Sequence, residues 1–199
     1  MKLDLSRRTT VHLCVDMQRM FSEDTDWRTP WMDRVTPVVA EIARRHCEET
    51  IFTRFIPPAR AEEAEGGWRA YFERWPQFTG DEIDPVLLEL IEPLRALTPP
   101  AEVLDKPCFS PFWRTDLDRR LRARGADVLV VTGAETDVCV LAAVLAAVDH
   151  GYFVILPKDA LCSSADETHD ALMELYAGRF GQQIFLTDAE TLLGAWPGR

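Results

Sequence analysis

The chain contains no asparagine anywhere in its 199 residues. That absence removes N-glycosylation, and with it any Cys-His-Asn catalytic triad. Lysine is nearly as scarce, with Lys2, Lys106 and Lys158 standing against nineteen arginines. The four histidines (His12, His46, His150 and His169) form no HxxxH or HxH pair and are read as structural. The five cysteines, at 14, 47, 108, 139 and 162, are odd in number and lack a CxxC pair. Neither a disulfide framework nor a structural zinc site fits that pattern, so the thiols are read as reduced. No apolar run reaches the about 18 residues of a membrane span, and the opening MKLDLSRR lacks a secretory h-region. The chain is therefore read as cytoplasmic, without a membrane partner. A net charge of −11 argues against nucleic acid as well.

What is present is globular: 47% of residues are hydrophobic and 28% charged, enough to bury a sizeable core in a single domain spanning 1–199. Short apolar or β-branched runs recur at 11–15, 50–54, 102–105, 127–132, 152–156 and 183–187. Between them, Val35, Val38, Val39 and Ile42 share a helical stripe, as do Leu141, Val144, Leu145 and Val148, and more weakly Leu172, Leu175 and Tyr176. Leu117 and Leu121 pair one turn apart ahead of Gly125, and Gly151 follows His150; both glycines read as helix ends. Apolar strands alternating with helices predict a parallel sheet covered on both sides, a three-layer α/β/α architecture with right-handed crossovers. The stretch 55–101 holds most of the prolines and is too long for a simple crossover, so it reads as an elaborated insert. In such sheets ligands bind beyond the carboxyl ends of the strands.

Three residues with useful chemistry stand at those ends. Asp16 follows the first run in CVDMQRMF, Lys106 the third in VLDKPCF, and Cys139 opens the helix after the fourth in GAETDVC. Thr136 or Asp137 is the expected cap of that helix, whose positive end lowers a thiol pKa. A carboxylate to take the proton and an ammonium to hold charge would activate the thiol without histidine. If Lys106 neutralises Asp16, a thiolate-like Cys139 is expected to alkylate ahead of the other cysteines. Without further context, a cysteine at a helix start is ordinarily a small buried hydrophobe, Asp16 a loop carboxylate and Lys106 a surface cation.

The blocks VHLCVDMQRMF, LDKPCFSPF and VLVVTGAETDVCVLAAVLAAVDHGYFVILPKDALCSS, in this order, resemble the isochorismatase-like cysteine hydrolase superfamily. The resemblance covers nearly the whole chain. It implies Asp16 as base, Lys106 as charge stabiliser and Cys139 as nucleophile, on a Rossmann-like fold with a six-stranded parallel sheet. It further implies a cis peptide between Ala134 and Glu135, with the backbone N–H groups of Glu135 and Cys139 as oxyanion hole. Glu135 departs from the small or apolar residue common there, and the direction of its side chain is left open. Metal-containing relatives place an Asp and paired histidines after the second strand, whereas TRFIPPARAEEAEGGW has no histidine; no metal or other cofactor is expected. Isochorismate-cleaving relatives, which act on a vinyl ether, typically lack the cysteine, so hydrolysis of a C–N bond in a small amide or carbamoyl/ureido substrate through a thioester is favoured. The alternatives are a non-catalytic small-molecule-binding protein on the same fold and an isochorismate-type vinyl ether hydrolase. Phe21, Trp68 and Phe112 are candidate substrate contacts, although Trp68, Tyr71 and Trp75 could equally form a packing stripe. Arg54, Arg60, Arg69 and Arg74 could neutralise a substrate carboxylate, or simply be solvated. The resemblance and the Trp- and Pro-rich insert imply a homo-oligomer, dimer or tetramer.

Overall fold

The computed structural model describes residues 3–197, leaving Lys2 outside them. Each of the six apolar runs becomes a strand: β1 (Thr10–Val15), β2 (Thr50–Phe55), β3 (Glu102–Lys106), β4 (Val128–Ala134), β5 (Phe153–Pro157) and, after the two-residue β6 (Leu161–Cys162), β7 (Ile184–Thr187). The sheet runs β3-β2-β1-β4-β5-β7, every pairing parallel, with β6 beside the end of β4. It therefore has seven strands rather than the expected six. The reason lies in register. β5 pairs β4 over Val128–Val130, and past Pro157 the chain returns so that Leu161 and Cys162 pair Gly133 and Ala134.

Helices follow: α1 (Arg19–Ser22), α2 (Met32–Arg45), α3 (Gly67–Arg74), α4 (Glu92–Arg95), α5 (Leu117–Ala123), α6 (Cys139–Asp149), α7 (Asp166–Arg179) and α8 (Ala189–Ala195). Side chains alternate across the sheet, so β1 sends Val11, Leu13 and Val15 to one layer and Cys14 to the other. The first layer packs on α5, α6 and α7, the second on α2 and α8. The path runs from β1 to β3 in one direction and from β4 to β7 in the other. Right-handed crossovers then put the helices on opposite faces and open a crevice between the carboxyl ends of β1 and β4.

Leu117 and Leu121 are fully buried, each worth roughly 1.5–3 kcal/mol of transfer free energy. Gly125 and Gly151 take the positive φ of helix-ending glycines, at 67° and 89°. Two stripes need correction. On α6 the buried residues are Cys139, Val140, Ala143, Val144 and Ala147, while Leu145 is exposed. That helix is apolar nearly all round, so its pattern does not say which side meets the sheet, and small alanines allow the closer approach. On α7 the buried residues are His169 and Tyr176, while Leu175 is exposed.

His12 is buried, its ring nitrogens 3.1 Å from Thr50 Oγ1 and 2.8 Å from Thr132 Oγ1. It thus ties β1 to both neighbours, and burial lowers its pKa to about 3, keeping it neutral. The 55–101 insert covers the carboxyl end of the sheet. Its Phe55, Phe72, Phe78 and Ile83 form a separate core with Met20, flanked by Trp27, which stacks on Phe78 with ring centroids 3.8 Å apart.

Candidate active site

The site begins where β1 and β4 end side by side. Gly133, paired with Val15, has φ +106°, and a Cβ there would sit 2.1 Å from the Val15 carbonyl oxygen; only glycine fits. On the other strand Asp16 turns the chain at φ 49°, a left-handed conformation that Asp tolerates better than most residues. This turn folds its side chain into the protein at 1% exposure. Thr53, on β2, donates from Oγ1 to Asp16 Oδ1 at 2.6 Å and accepts the Asp16 N–H at 3.1 Å. Gln18, also buried, binds the Phe55 N–H and carbonyl and the Leu88 carbonyl, tying the end of β1 to β2 and the insert.

Lys106 closes β3, two strands away from β1. Neighbouring strands lie about 4.8 Å apart, so only a long side chain spans the gap. Its Nζ reaches Asp16 Oδ2 at 2.7 Å, passing 5.3 Å from the centre of the Phe55 ring. The ammonium also donates to the Cys108 carbonyl at 2.9 Å and toward Cys139 Sγ at 3.6 Å. The ammonium is thus held by two hydrogen bonds and, on its third side, by the charge of Asp16. Burial pulls the Lys106 pKa down, but Asp16 and Cys139 outweigh it and the net shift is upward, so the lysine stays charged.

Cys139 opens α6 at 7% exposure. Neither Thr136 nor Asp137 caps this helix, contrary to expectation. Thr136 bonds the Cys162 carbonyl and His169 Nδ1, and Asp137 accepts from Ser163 and Thr168. Instead the Glu135 carbonyl takes the N–H groups of Val138 and Val140. Among the described residues no backbone acceptor takes the N–H of Glu135 or Cys139, and the Ala134–Glu135 peptide is cis. Burial pushes the Cys139 thiol well above its ordinary range; Lys106 pulls it down, and the charge and hydrogen bond of Asp16 push it up. The upward shift favours a protonated thiol facing a carboxylate at rest, whereas the sequence reading has a thiolate-like Cys139 on the condition that Lys106 neutralises Asp16. Removing this proton to bulk would put a second negative charge beside Asp16 with one ammonium to balance both.

A cavity of about 150 Å³ opens onto Cys139. Phe21, Trp27, Phe55, Tyr71, Phe109 and Val138 make its apolar wall; Asp26, Arg28, Glu135 and Ser164 add polar groups. That volume is on the order of a benzene-sized void, so it suits a small ligand. Burial, with Cys139 and Glu135 nearby, raises the Tyr71 hydroxyl to about 12, so it remains a neutral donor. The Glu135 side chain is held from one oxygen, Oε1, which accepts the Ser164 N–H at 2.9 Å and the Thr29 hydroxyl at 3.4 Å.

The structure thus brings Asp16, Lys106, Cys139 and the Glu135 backbone together, with Phe21 in the adjoining wall. Trp68 and Phe112 lie elsewhere, lining a shallow outer groove with Trp113 and His150. Trp68 packs against Phe109 with centroids 4.6 Å apart, one layer behind the cavity wall. Its place is taken by Trp27 and Tyr71. None of the four arginines singled out lines the cavity: Arg54 pairs with Asp105 and Glu89, Arg60 with Glu63 and Asp81, Arg69 bonds the Glu62 carbonyl and Arg74 stacks on Trp75. Arg28 does line it, and its one ion pair, to Asp33, is loose at 3.9 Å. Thr53 and Gln18 also went unread; a hydroxyl within the apolar run TIFTRF was the available signal for Thr53. Among the described residues no group of three or more His, Cys, Asp or Glu side chains is placed to hold a metal ion. Nor is any helix among them long and apolar enough to cross a membrane.

Fold and site together define a Rossmann-like α/β protein with a buried Asp-Lys pair against a cysteine at its switch point. A family model described as the isochorismatase domain matches residues 10–188, and the chain belongs to that family. Ureidoacrylate amidohydrolase RutB of Methylobacterium radiotolerans is 38% identical over 102 residues, covering 50% of this chain and 40% of the relative. Maleamate amidohydrolase of Pseudomonas putida is 29% identical over 113 residues, covering 53% of each. The aligned parts thus span about half of these relatives or less. The crystal structure of an isochorismatase family protein from Desulfovibrio vulgaris superposes with a TM-score of 0.78 at 23% identity, covering 94% of this chain and 97% of that one, a likeness of fold.

Proposed function

We propose that this chain is a cysteine-dependent amidohydrolase that cleaves a C–N bond in a small amide or carbamoyl/ureido substrate. The observation that carries the reading is the Lys106–Asp16 ion pair, at 2.7 Å and out of solvent, set against the Cys139 thiol at the wall of the cavity. A buried charge pair is costly to maintain and here adjoins a cysteine that faces a ligand-sized space. Asp16 takes the Cys139 proton as Sγ bonds to the carbonyl carbon. The oxyanion is received by the N–H groups of Glu135 and Cys139. Collapse breaks the C–N bond, and Asp16 returns the proton to the departing amine or ammonia. Water, deprotonated by the same carboxylate, then attacks the thioester, and the carboxylic or carbamic acid leaves with Sγ reprotonated. Lys106 remains protonated throughout.

The names of the two amidohydrolase relatives support the amide reading, and both of the acids they name carry a carboxylate. Arg28, loosely engaged at the cavity wall, suits the negative end of such a substrate. The test is ammonia release from a panel of small amides, ureides and carbamoyl compounds, with mass spectrometry of rapidly quenched protein. A substrate-dependent acyl mass on the Cys139 peptide, lost in Cys139→Ala, is the expected result. Turnover that survives Cys139→Ala within tenfold would refute the covalent route, and ligand binding without release would make the chain a binding protein.

A further inference from the structure

The cavity contains a charged group that the steps above leave unused. Glu135 contributes a backbone N–H to the oxyanion position, so its own carboxylate lies within one side chain's length of the bound carbonyl. Oε1 is fixed by the Ser164 N–H and the Thr29 hydroxyl. Oε2 has no hydrogen bond among the described residues and is not sealed inside the protein. A carboxylate oxygen left free in a largely aromatic cavity is an acceptor awaiting a donor. Among the described residues no hydrogen bond runs to this oxygen from Arg28, from the Tyr71 hydroxyl or from the Ser164 hydroxyl, and Asp26 offers only acceptors. The Tyr71 phenol, coupled electrostatically to Glu135 and Cys139, remains a neutral donor on the same wall.

We infer that Glu135 is a specificity-determining residue whose free oxygen accepts an N–H carried by the substrate next to the carbonyl under attack. Carbamoyl compounds, R–NH–CO–NH2, are then favoured over carboxamides, R–CH2–CO–NH2. The inference deepens the hydrolase reading and rests on it for the placement of the carbonyl. In a carboxamide of the same shape the CH2 offers the carboxylate nothing and strips it of water, so the penalty falls on the wrong substrate. The fixed negative charge also repels an anionic group close to the carbonyl while tolerating one farther out, toward Arg28.

N-Ethylurea and butanamide differ by a single NH-for-CH2 exchange and match the cavity in size. Their dissociation constants can be measured by NMR titration on Cys139→Ala, and their turnover on the wild type by ammonia release. Cys139→Ala is expected to bind N-ethylurea about tenfold or more tighter, the worth of one hydrogen bond to a charged acceptor. Glu135→Gln in the same background keeps an oxygen for Ser164 and Thr29 and turns its NH2 toward the ligand, replacing acceptor with donor. The preference should fall to within twofold. Glu135→Asp, which shortens the reach but keeps the charge, should fall between the two. Equal binding of the pair, binding of neither, or a preference unchanged in Glu135→Gln overturns the proposal. Ammonia release without a binding preference sinks the role of Glu135 and leaves the hydrolase standing. A Glu135-dependent preference with no ammonia from either compound does the reverse.

Discussion

Replacing Lys106 with methionine tests the charge arrangement most directly, because the substitution roughly conserves length and volume and removes only the ammonium. Asp16 Oδ2 then loses its counter-charge at 2.7 Å, and the Cys108 carbonyl at 2.9 Å and the Cys139 sulfur at 3.6 Å lose their donor. The costliest loss is at Asp16, which is 1% exposed and left with the Thr53 hydroxyl and the Cys139 thiol as its side chain's partners. Breaking one side of a buried pair costs about 3–5 kcal/mol, because the surviving charge stays out of water. Against a typical total stability of 5–15 kcal/mol this is a large fraction. Removing both charges, as in Asp16→Asn with Lys106→Met, leaves a neutral amide with the same threonine partner. The double variant should therefore recover at least half of what Lys106→Met loses. Urea unfolding at pH 7, followed by tryptophan fluorescence and far-UV circular dichroism, gives the midpoints for wild type, both single variants and the double. A loss below about 1 kcal/mol in Lys106→Met, or losses that simply add in the double, would refute a coupled buried pair. In the double variant activity stays absent while stability returns, which separates the chemical role of the lysine from its structural one.

Other expectations are more local. Thr53→Val removes the hydroxyl that orients Asp16 and should lower kcat by about 10- to 100-fold with KM little changed, as for a bond to a charged group; Thr53→Ser should restore it, and equal rates in Val and Ser would argue against positioning. Iodoacetamide at pH 7 should label half-buried Cys47 before Cys139, whose thiol burial pushes up, with Cys139 labelling accelerating as pH rises; peptide mapping that finds Cys139 labelled first at pH 7 would contradict a protonated resting state. His12 is held at about 3 against an unfolded 6.5, so the unfolded chain binds the proton first, and its contribution to stability, complete above pH 6.5, drains as pH falls toward 3. The denaturation midpoint should thus drop between pH 7 and pH 5, and less so in His12→Gln; parallel curves would exclude this source. We propose, finally, a dimer or larger assembly using exposed Leu145 and Trp113 rather than the insert, whose apolar residues largely bury one another; light scattering that gives a monomer at tens of micromolar would refute it.

The strands were legible because the sheet is buried on both faces, so whole runs such as DVLVVT are apolar and need no periodicity. β6 escaped notice because two residues, Leu161 and Cys162, carry no pattern; register against β4 creates that strand. The face of α6 was misread for the opposite reason, an excess of apolar residues. At the site, Asp16, Lys106 and Cys139 were legible from their places after strands, where topology converges. Thr53 was hidden because a threonine in a strand reads as a β-branched former, and its hydroxyl matters only once Asp16 turns back at positive φ. Which aromatic residues meet the cavity was not legible, since Trp27 and Tyr71 are brought there by packing among the insert's rings, a long-range outcome that a local stripe cannot encode.

The scarcity of lysine and the protonated thiol belong to one electrostatic argument. At rest the cluster holds one positive and one negative charge, and the proton stays on sulfur because a further anion has no counter-charge in so buried a place. In the proposed attack Asp16 becomes neutral as it takes that proton, while one negative charge appears on the substrate oxygen near the Glu135 and Cys139 N–H groups. The net charge of the cavity is unchanged; only its position moves. Lys106 makes this possible by remaining cationic between donor and acceptor, paired with the Asp16 carboxylate and hydrogen-bonded to a carbonyl and a sulfur. An arginine fork, planar and suited to paired oxygens, would match a lone carboxylate well but would not reach a carboxylate, a carbonyl and a sulfur lying in different directions. In a chain that otherwise uses arginine for nearly every cation, a lysine here follows from the shape of the job.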